Sequence, residues 1–152
     1  MKIGTYFAYW EKEWDVDMFK YIKKVKDLGF DILEVSGGGL MELSDEDAKR
    51  FGEEAKKEGL MLTCGIGMTA ENDTSSEDEA VRQHGIAYAK KLLDKMALAG
   101  IHHIGGTLYG YWPVDWTKPI RKEIVREISI KSVRELADYA KGRCPKSCST
   151  DM

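Results

Sequence analysis

Hydrophobic positions along this chain switch period repeatedly, from short alternating or unbroken apolar runs to stripes recurring every three or four residues. Each switch predicts a strand followed by a helix. Residues 2–8 predict the first strand. Met18, Phe19, Ile22, Val25 and Leu28 then fall on one face of a helix that Asp15 or Asp17 can cap and Gly29 can end. Residues 31–35 predict a second strand, whose alternation puts Leu33 and Val35 toward the helices and Ile32 and Glu34 on the opposite side of the sheet. Ser36-Gly37-Gly38-Gly39 reads as a loop. Ser44 with Asp47 three residues on reads as a capping box before a helix with Ala48, Phe51 and Ala55 inward and Gly59 at its end. A third strand follows at 60–66. A polar loop from Thr69 to Ser75 and a cap of Ser76 with Glu79 then lead into a long helix with the stripe Ala80, Val81, Tyr88, Leu92, Met96 and Ala99, up to Gly100. The fourth strand is expected from Ile101. A last helix from about Arg121 carries Ile124, Val125, Ile128, Val133, Leu136, Ala137 and Ala140 before Gly142.

The order is βαβαβαβα with strands starting about 29, 29 and 42 residues apart, and such alternation specifies an α/β fold with a parallel sheet. A flavodoxin-like sheet carries a phosphate or cofactor loop after its first strand, where this chain has Tyr9-Trp10-Glu11-Lys12-Glu13-Trp14. A TIM barrel has about 250 residues, so four βα units amount to the N-terminal half of a (β/α)8 barrel. The expected organisation is a half barrel over residues 1–142 and an unrelated or disordered tail over 143–152, which has neither strand nor helix pattern.

Composition narrows the function classes. The chain has 152 residues, 43% hydrophobic and 32% charged, enough for one globular domain. A formal net charge of −3 without a basic cluster argues against nucleic acid and anionic membranes. No apolar run approaches the roughly 20 residues of a membrane span, and the start Met1-Lys2-Ile3-Gly4 has no signal-like core, so a cytoplasmic location is expected. The three cysteines match no disulfide framework. Cys64 reads as a small buried hydrophobe, and Cys144 with Cys148 as part of the tail rather than a zinc site, since no histidine lies nearby. His102 and His103 would stand at the start of the fourth strand, the stability end of a barrel, and His84 inside a helix.

Residues 101–116 carry the most chemistry. An apolar strand ends in the pair Gly105-Gly106 and delivers Thr107-Leu108-Tyr109-Gly110-Tyr111-Trp112-Pro113-Val114-Asp115-Trp116, a loop too aromatic to leave in water unless it lines a pocket or an interface. Loops at the carboxyl ends of parallel strands are where α/β folds place their active faces.

The chain resembles the ketose 3-epimerases, the D-tagatose and D-psicose (D-allulose) 3-epimerase group of xylose-isomerase-like TIM barrels. The residues that carry the resemblance are Gly4-Thr5-Tyr6-Phe7-Ala8-Tyr9-Trp10 with Glu13-Trp14, and Leu28-Gly29-Phe30-Asp31-Ile32-Leu33-Glu34-Val35. They continue in Gly65-Ile66-Gly67, Ser75-Ser76-Glu77-Asp78, and Ile104-Gly105-Gly106 with Tyr111-Trp112-Pro113-Val114-Asp115. The match runs to about residue 142. It implies a metal-dependent isomerase in which Mn²⁺, Mg²⁺ or Co²⁺ binds two neighbouring ketose oxygens and two glutamates move the C3 proton. Those glutamates, with an aspartate and a histidine, belong to strands 5 to 8 in the family. The resemblance therefore implies no catalytic or metal-binding residue in this chain.

The same resemblance implies a sugar wall of Tyr6, Trp14, Ile66, Thr107, Leu108 and Trp112, with threonine at 107 where the family tends to have something smaller. Glu34, alone inside a barrel, would accept a sugar hydroxyl or satisfy neighbouring donors; Tyr6, Trp14 and Trp112 have packing roles as their plain alternatives. Three readings follow: an N-terminal fragment of a ketose 3-epimerase, inactive alone; a sugar-binding module; and a half barrel that self-associates through its exposed edges. Other sugar isomerases of the superfamily are further alternatives to the first.

Overall fold

A computed structural model of the chain describes residues 1–14, 16–117 and 119–143. Four parallel strands, β1 (Gly4–Tyr6), β2 (Ile32–Ser36), β3 (Met61–Ile66) and β4 (Ile104–Gly106), form one sheet in the order β1-β2-β3-β4. Among the described residues five α-helices accompany them: α1 (Phe19–Asp27), α2 (Gly37–Glu42), α3 (Asp45–Lys57), α4 (Glu79–Leu98) and α5 (Lys122–Lys141). The expected α/β fold of successive βα units is present. Two compact units divide the described residues, one comprising Met1–Ile66 and Asp94–Gly106, the other Gly67–Leu93 and the described residues from Thr107.

The first unit holds the whole sheet. Leu33, Val35, Leu62 and Cys64 point to one face and are 0–5% exposed beneath Ile22, Val25, Phe51, Ala55 and Met96. Ile32, Glu34, Met61, Thr63 and Gly65 take the opposite face and are half-buried. Helix ends follow local chemistry. Asp17 accepts from the Phe19 amide at 3.0 Å, so of the two expected caps of α1 this one acts; Asp15 lies outside the described residues. The Ser44 hydroxyl accepts from the Asp47 amide at 2.9 Å and donates to its carboxylate at 2.8 Å. Gly29, Gly59 and Gly100 end α1, α3 and α4 with φ of 84°, 70° and 66°, a region that favours glycine. At Gly52 a Cβ would lie 2.3 Å from the Ala99 carbonyl oxygen, so α3 meets the end of α4 only because that side chain is absent.

Several expectations need correction. Ser36-Gly37-Gly38-Gly39 is no loop: Ser36 caps α2 by accepting from the Gly39 amide at 3.4 Å, and burial of Leu40 outweighs the poor helix propensity of three glycines. Asp78, rather than Ser76 with Glu79, receives the first amides of α4, from Ala80 at 2.8 Å and Val81 at 3.5 Å. The buried stripe of α4 includes Ile86 and Ala89 with Leu92 and Met96, while Ala80 is exposed and Tyr88 half-buried. In α5 only Ser132 and Leu136 are buried; Ala137 is exposed and Ile124 is 41% exposed. Leu28 lies outside the α1 face, 57% exposed. β4 begins at Ile104, three residues after Ile101, which is itself buried. Among the described residues no helix is long and apolar enough to cross a membrane.

Candidate functional site

In the first unit, parallel register aligns side chains into a row across the helix-free face. Tyr6 pairs with Glu34 and Glu34 with Thr63, and partners in parallel register share a face. The Thr63 hydroxyl donates to Glu34 Oε2 at 3.4 Å, a long contact. Burial, then the Glu34 carboxylate and Cys64, push the Tyr6 hydroxyl above its ordinary range. Behind the row, on the sealed face, burial and secondarily Glu34 push the Cys64 thiol up to about 12. It is fully buried, as expected of a structural cysteine.

β1 runs into a 3-10 turn at Phe7–Tyr9, and Phe7, fully buried, anchors the loop beyond it. Its ring meets Tyr6 at 4.9 Å, Tyr21 at 5.9 Å and Trp14 at 6.3 Å between centroids. Trp14 also faces Tyr6 at 6.3 Å and is 65% exposed. Tyr6 and Trp14 are thus brought together at the carboxyl end of β1, with much of the indole open. The same loop is braced from below. Trp10 stacks on Tyr21 at 5.9 Å with Lys24 over the indole at 4.5 Å, while Lys20, at 2.7 Å, and the Tyr21 hydroxyl both hold Glu11. The Lys20 ammonium, more than Tyr21, keeps the Glu11 carboxyl below its usual range. Ile66 is 9% exposed and continues the buried phase of Leu62 and Cys64 at the end of β3.

The second unit positions Thr107, Leu108 and Trp112 through the main chain. The Met68 amide donates to Thr107 Oγ1 at 3.2 Å, and the Met68 carbonyl accepts from the Trp112 amide at 2.7 Å. The Thr74 hydroxyl, fully buried, donates to the Leu108 carbonyl at 2.7 Å. Asp73 holds that segment in turn, its Oδ1 accepting from the Ser75 amide at 2.8 Å and hydroxyl at 2.7 Å. Thr107 and Leu108 are half-buried, whereas Trp112, joined to Pro113 by a cis peptide, is 61% exposed. Tyr109 and Trp116 are exposed too, at 63% and 83%.

Among the described residues no three His, Cys, Asp or Glu side chains come together in a way that could hold a metal ion. Glu34 stands without a second carboxylate or imidazole in its row, so the described residues do not fit a divalent metal centre. What the first unit offers is an aromatic surface for the C–H face of a ligand and a carboxylate with hydroxyls beside it for polar contacts.

A family description, xylose isomerase-like TIM barrel, matches residues 22–143. The chain belongs to that family. Within this TIM-barrel family its four-strand sheet and helices match the N-terminal half of a barrel in epimerase relatives. It is 44% identical over 152 residues to a D-psicose 3-epimerase of Ruminiclostridium cellulolyticum, covering 100% of this chain and 50% of that protein. To a D-psicose 3-epimerase of Agrobacterium fabrum it is 41% identical over 140 residues, covering 92% and 48%. A crystal structure of D-psicose 3-epimerase in the presence of D-fructose superposes with a TM-score of 0.90 at 40% identity, covering 93% of this chain and 49% of that one. The chain spans about half the length of the curated relatives it matches.

Sequence reasoning missed Thr63, Gly65 and Met68. Thr63 and Gly65 become site residues only through the β2–β3 register, and Met68 acts through its backbone, which no residue type announces.

Proposed function

We propose that the chain is the sugar-binding N-terminal half of a metal-dependent ketose 3-epimerase of the D-psicose and D-tagatose type, inactive by itself. The observation that carries this reading is the Tyr6–Trp14 aromatic pair at the carboxyl end of β1, in a chain 41–44% identical to two D-psicose 3-epimerases. Ring faces suit the apolar side of a ketose, and covering the exposed indole with a sugar removes apolar surface from water. The reading assigns Tyr6 and Trp14 to the ketose, and the family resemblance adds Ile66, Thr107, Leu108 and Trp112. The Mn²⁺, Mg²⁺ or Co²⁺ ion and the acids that move the C3 proton belong to the remainder of the complete enzyme.

The test is complementation. The purified chain alone, with Mn²⁺, Mg²⁺ or Co²⁺, is expected to interconvert no D-fructose and D-psicose. Mixed with the C-terminal half of the Ruminiclostridium cellulolyticum relative, it is expected to recover that activity, and to lose most of the gain when Trp14 is changed to alanine. Epimerisation by the chain alone, or no recovery by the mixture, would overturn the proposal.

The same reading carries a statement about association. β1 and β4 are the edges of the sheet, three residues each, and the face bearing Ile32 and Met61 is only half-covered. Parallel sheets are ordinarily covered on both faces, so the chain is expected to self-associate. Sedimentation velocity showing a folded monomer throughout a dilution series would refute this.

A further inference from the structure

The Glu34 carboxylate occupies a position that packing does not explain. It sits mid-strand on β2, facing away from the apolar layer formed by Leu33 and Val35. Thr63 is its only hydrogen-bond donor among the described residues, and that contact is to Oε2. The other oxygen, Oε1, lies over Gly65 of β3, where a Cβ would stand 3.0 Å away. Any residue but glycine at 65 would crowd the carboxylate oxygen, which would have to give by a few tenths of an ångström. The backbone at Gly65 is not in the left-handed region, so the space itself, rather than a turn, accounts for the missing side chain. A carboxylate oxygen that no protein donor takes is available to accept from a ligand hydroxyl. Its neighbours in the row, Tyr6 and Thr63, are hydroxyl-bearing, and Gly65 leaves a gap of about one side-chain atom beside the acid.

We propose that Glu34 Oε1, framed by Tyr6, Thr63 and the gap at Gly65, is a hydroxyl-accepting subsite that takes one hydroxyl of a ketose lying on the helix-free face of the sheet. This deepens the ketose reading above and rests on it. Within that reading the aromatic pair grips the sugar without regard to its hydroxyls, whereas an ionised acceptor distinguishes a sugar with a hydroxyl at the facing carbon from one lacking it. Thr63 is then a positioning residue, steadying the carboxylate through Oε2 while Oε1 meets the ligand. The raised Tyr6 hydroxyl, shifted in part by Glu34, agrees with a carboxylate charge that little in the row offsets.

The experiment uses the full chain, D-fructose and D-psicose as probes, and NMR of the Glu34 side-chain carboxyl carbon alongside the Trp14 indole. Binding is expected to shift both signals. Glu34→Gln, which keeps the shape and removes the charge, is expected to raise the Kd about ten-fold, because the hydrogen bond it accepts is no longer charge-assisted. Gly65→Ala is expected to weaken binding in the same direction, and Thr63→Val less, with circular dichroism unchanged in all three. If the indole shifts while the Glu34 carbon does not, and Glu34→Gln binds within about two-fold of wild type, the subsite is wrong and the ketose reading stands. If neither signal moves at the highest sugar concentration attainable, sugar binding by this chain fails, and the subsite with it.

Discussion

The two faces of the central strands carry the same backbone and opposite tasks. On one, Leu33, Val35, Leu62 and Cys64 are sealed under helices; on the other, Ile32, Glu34, Thr63 and Gly65 remain half-open, with a carboxylate, a hydroxyl and a missing side chain in adjacent register. Strand alternation makes this division possible, because a one-residue step moves a side chain from core to surface. On the ketose reading proposed above, stability and recognition can be altered almost independently, and substitutions on the two faces should separate cleanly.

The sharpest break would come from the covering layer itself. Phe51 is fully buried, against Phe19 at 5.1 Å between ring centroids, and Phe51→Ala is expected to cost about 3–5 kcal/mol. Urea unfolding followed by circular dichroism measures it, and a loss below about 1 kcal/mol would mean that the sealed face is not the stabilising one.

Cys64 allows the same face to be probed by pH. Its thiol is held up at about 12, against an ordinary value of 9.0. The neutral thiol is the form favoured by folding, so its contribution is fully present below the unfolded value and is lost as pH rises toward the folded one. Between pH 9.0 and about 12 the wild type is expected to lose up to about 4 kcal/mol through this group. Cys64→Ala should show a shallower alkaline decline in urea midpoints, and parallel curves for the two proteins would contradict the sealed-face assignment.

Smaller effects sharpen the contrast. Ser44→Ala removes the α3 cap and is expected to cost about 1 kcal/mol, read from the same urea curves, without changing sugar titrations. Thr63→Val, on the open face, is expected to change stability by less than about 0.5 kcal/mol while weakening ketose binding. A stability loss comparable to that of Phe51→Ala would erase the distinction between the faces.

Much of the fold was legible where chemistry is local. Ser44 with Asp47 announced α3, three glycines announced helix ends, and the alternation of Ile32 to Val35 placed Glu34 on the open face. Where burial competes with propensity, reading by residue type failed. Three glycines suggested a loop at 37–39, yet Ser36 and Leu40 make it helical, and Asp78 rather than Ser76 caps α4 because its carboxylate reaches the Ala80 amide. For α4, a stripe starting at Ala80 misses Ile86 and Ala89; in α5, of the apolar positions the sequence shows from Ile124 to Ala140, only Leu136 is buried. A sugar-facing role for Tyr6 and Trp14 is an expectation that comes only from the family resemblance, and their 6.3 Å approach is a property of the folded loop. The partners of Glu34 and the main-chain role of Met68 depend on register and turn geometry between segments far apart in sequence.

Met68, whose amide and carbonyl are both taken by residues of the Thr107–Trp112 loop, has a practical consequence for anyone altering this protein. Replacing Thr107 with alanine or glycine would release one of the loop's two tethers to Met68, so a change intended as a local enlargement would also loosen the indole five positions on. Positions 68, 107 and 112 should be varied together in any library, since selection at one will be answered at the other two.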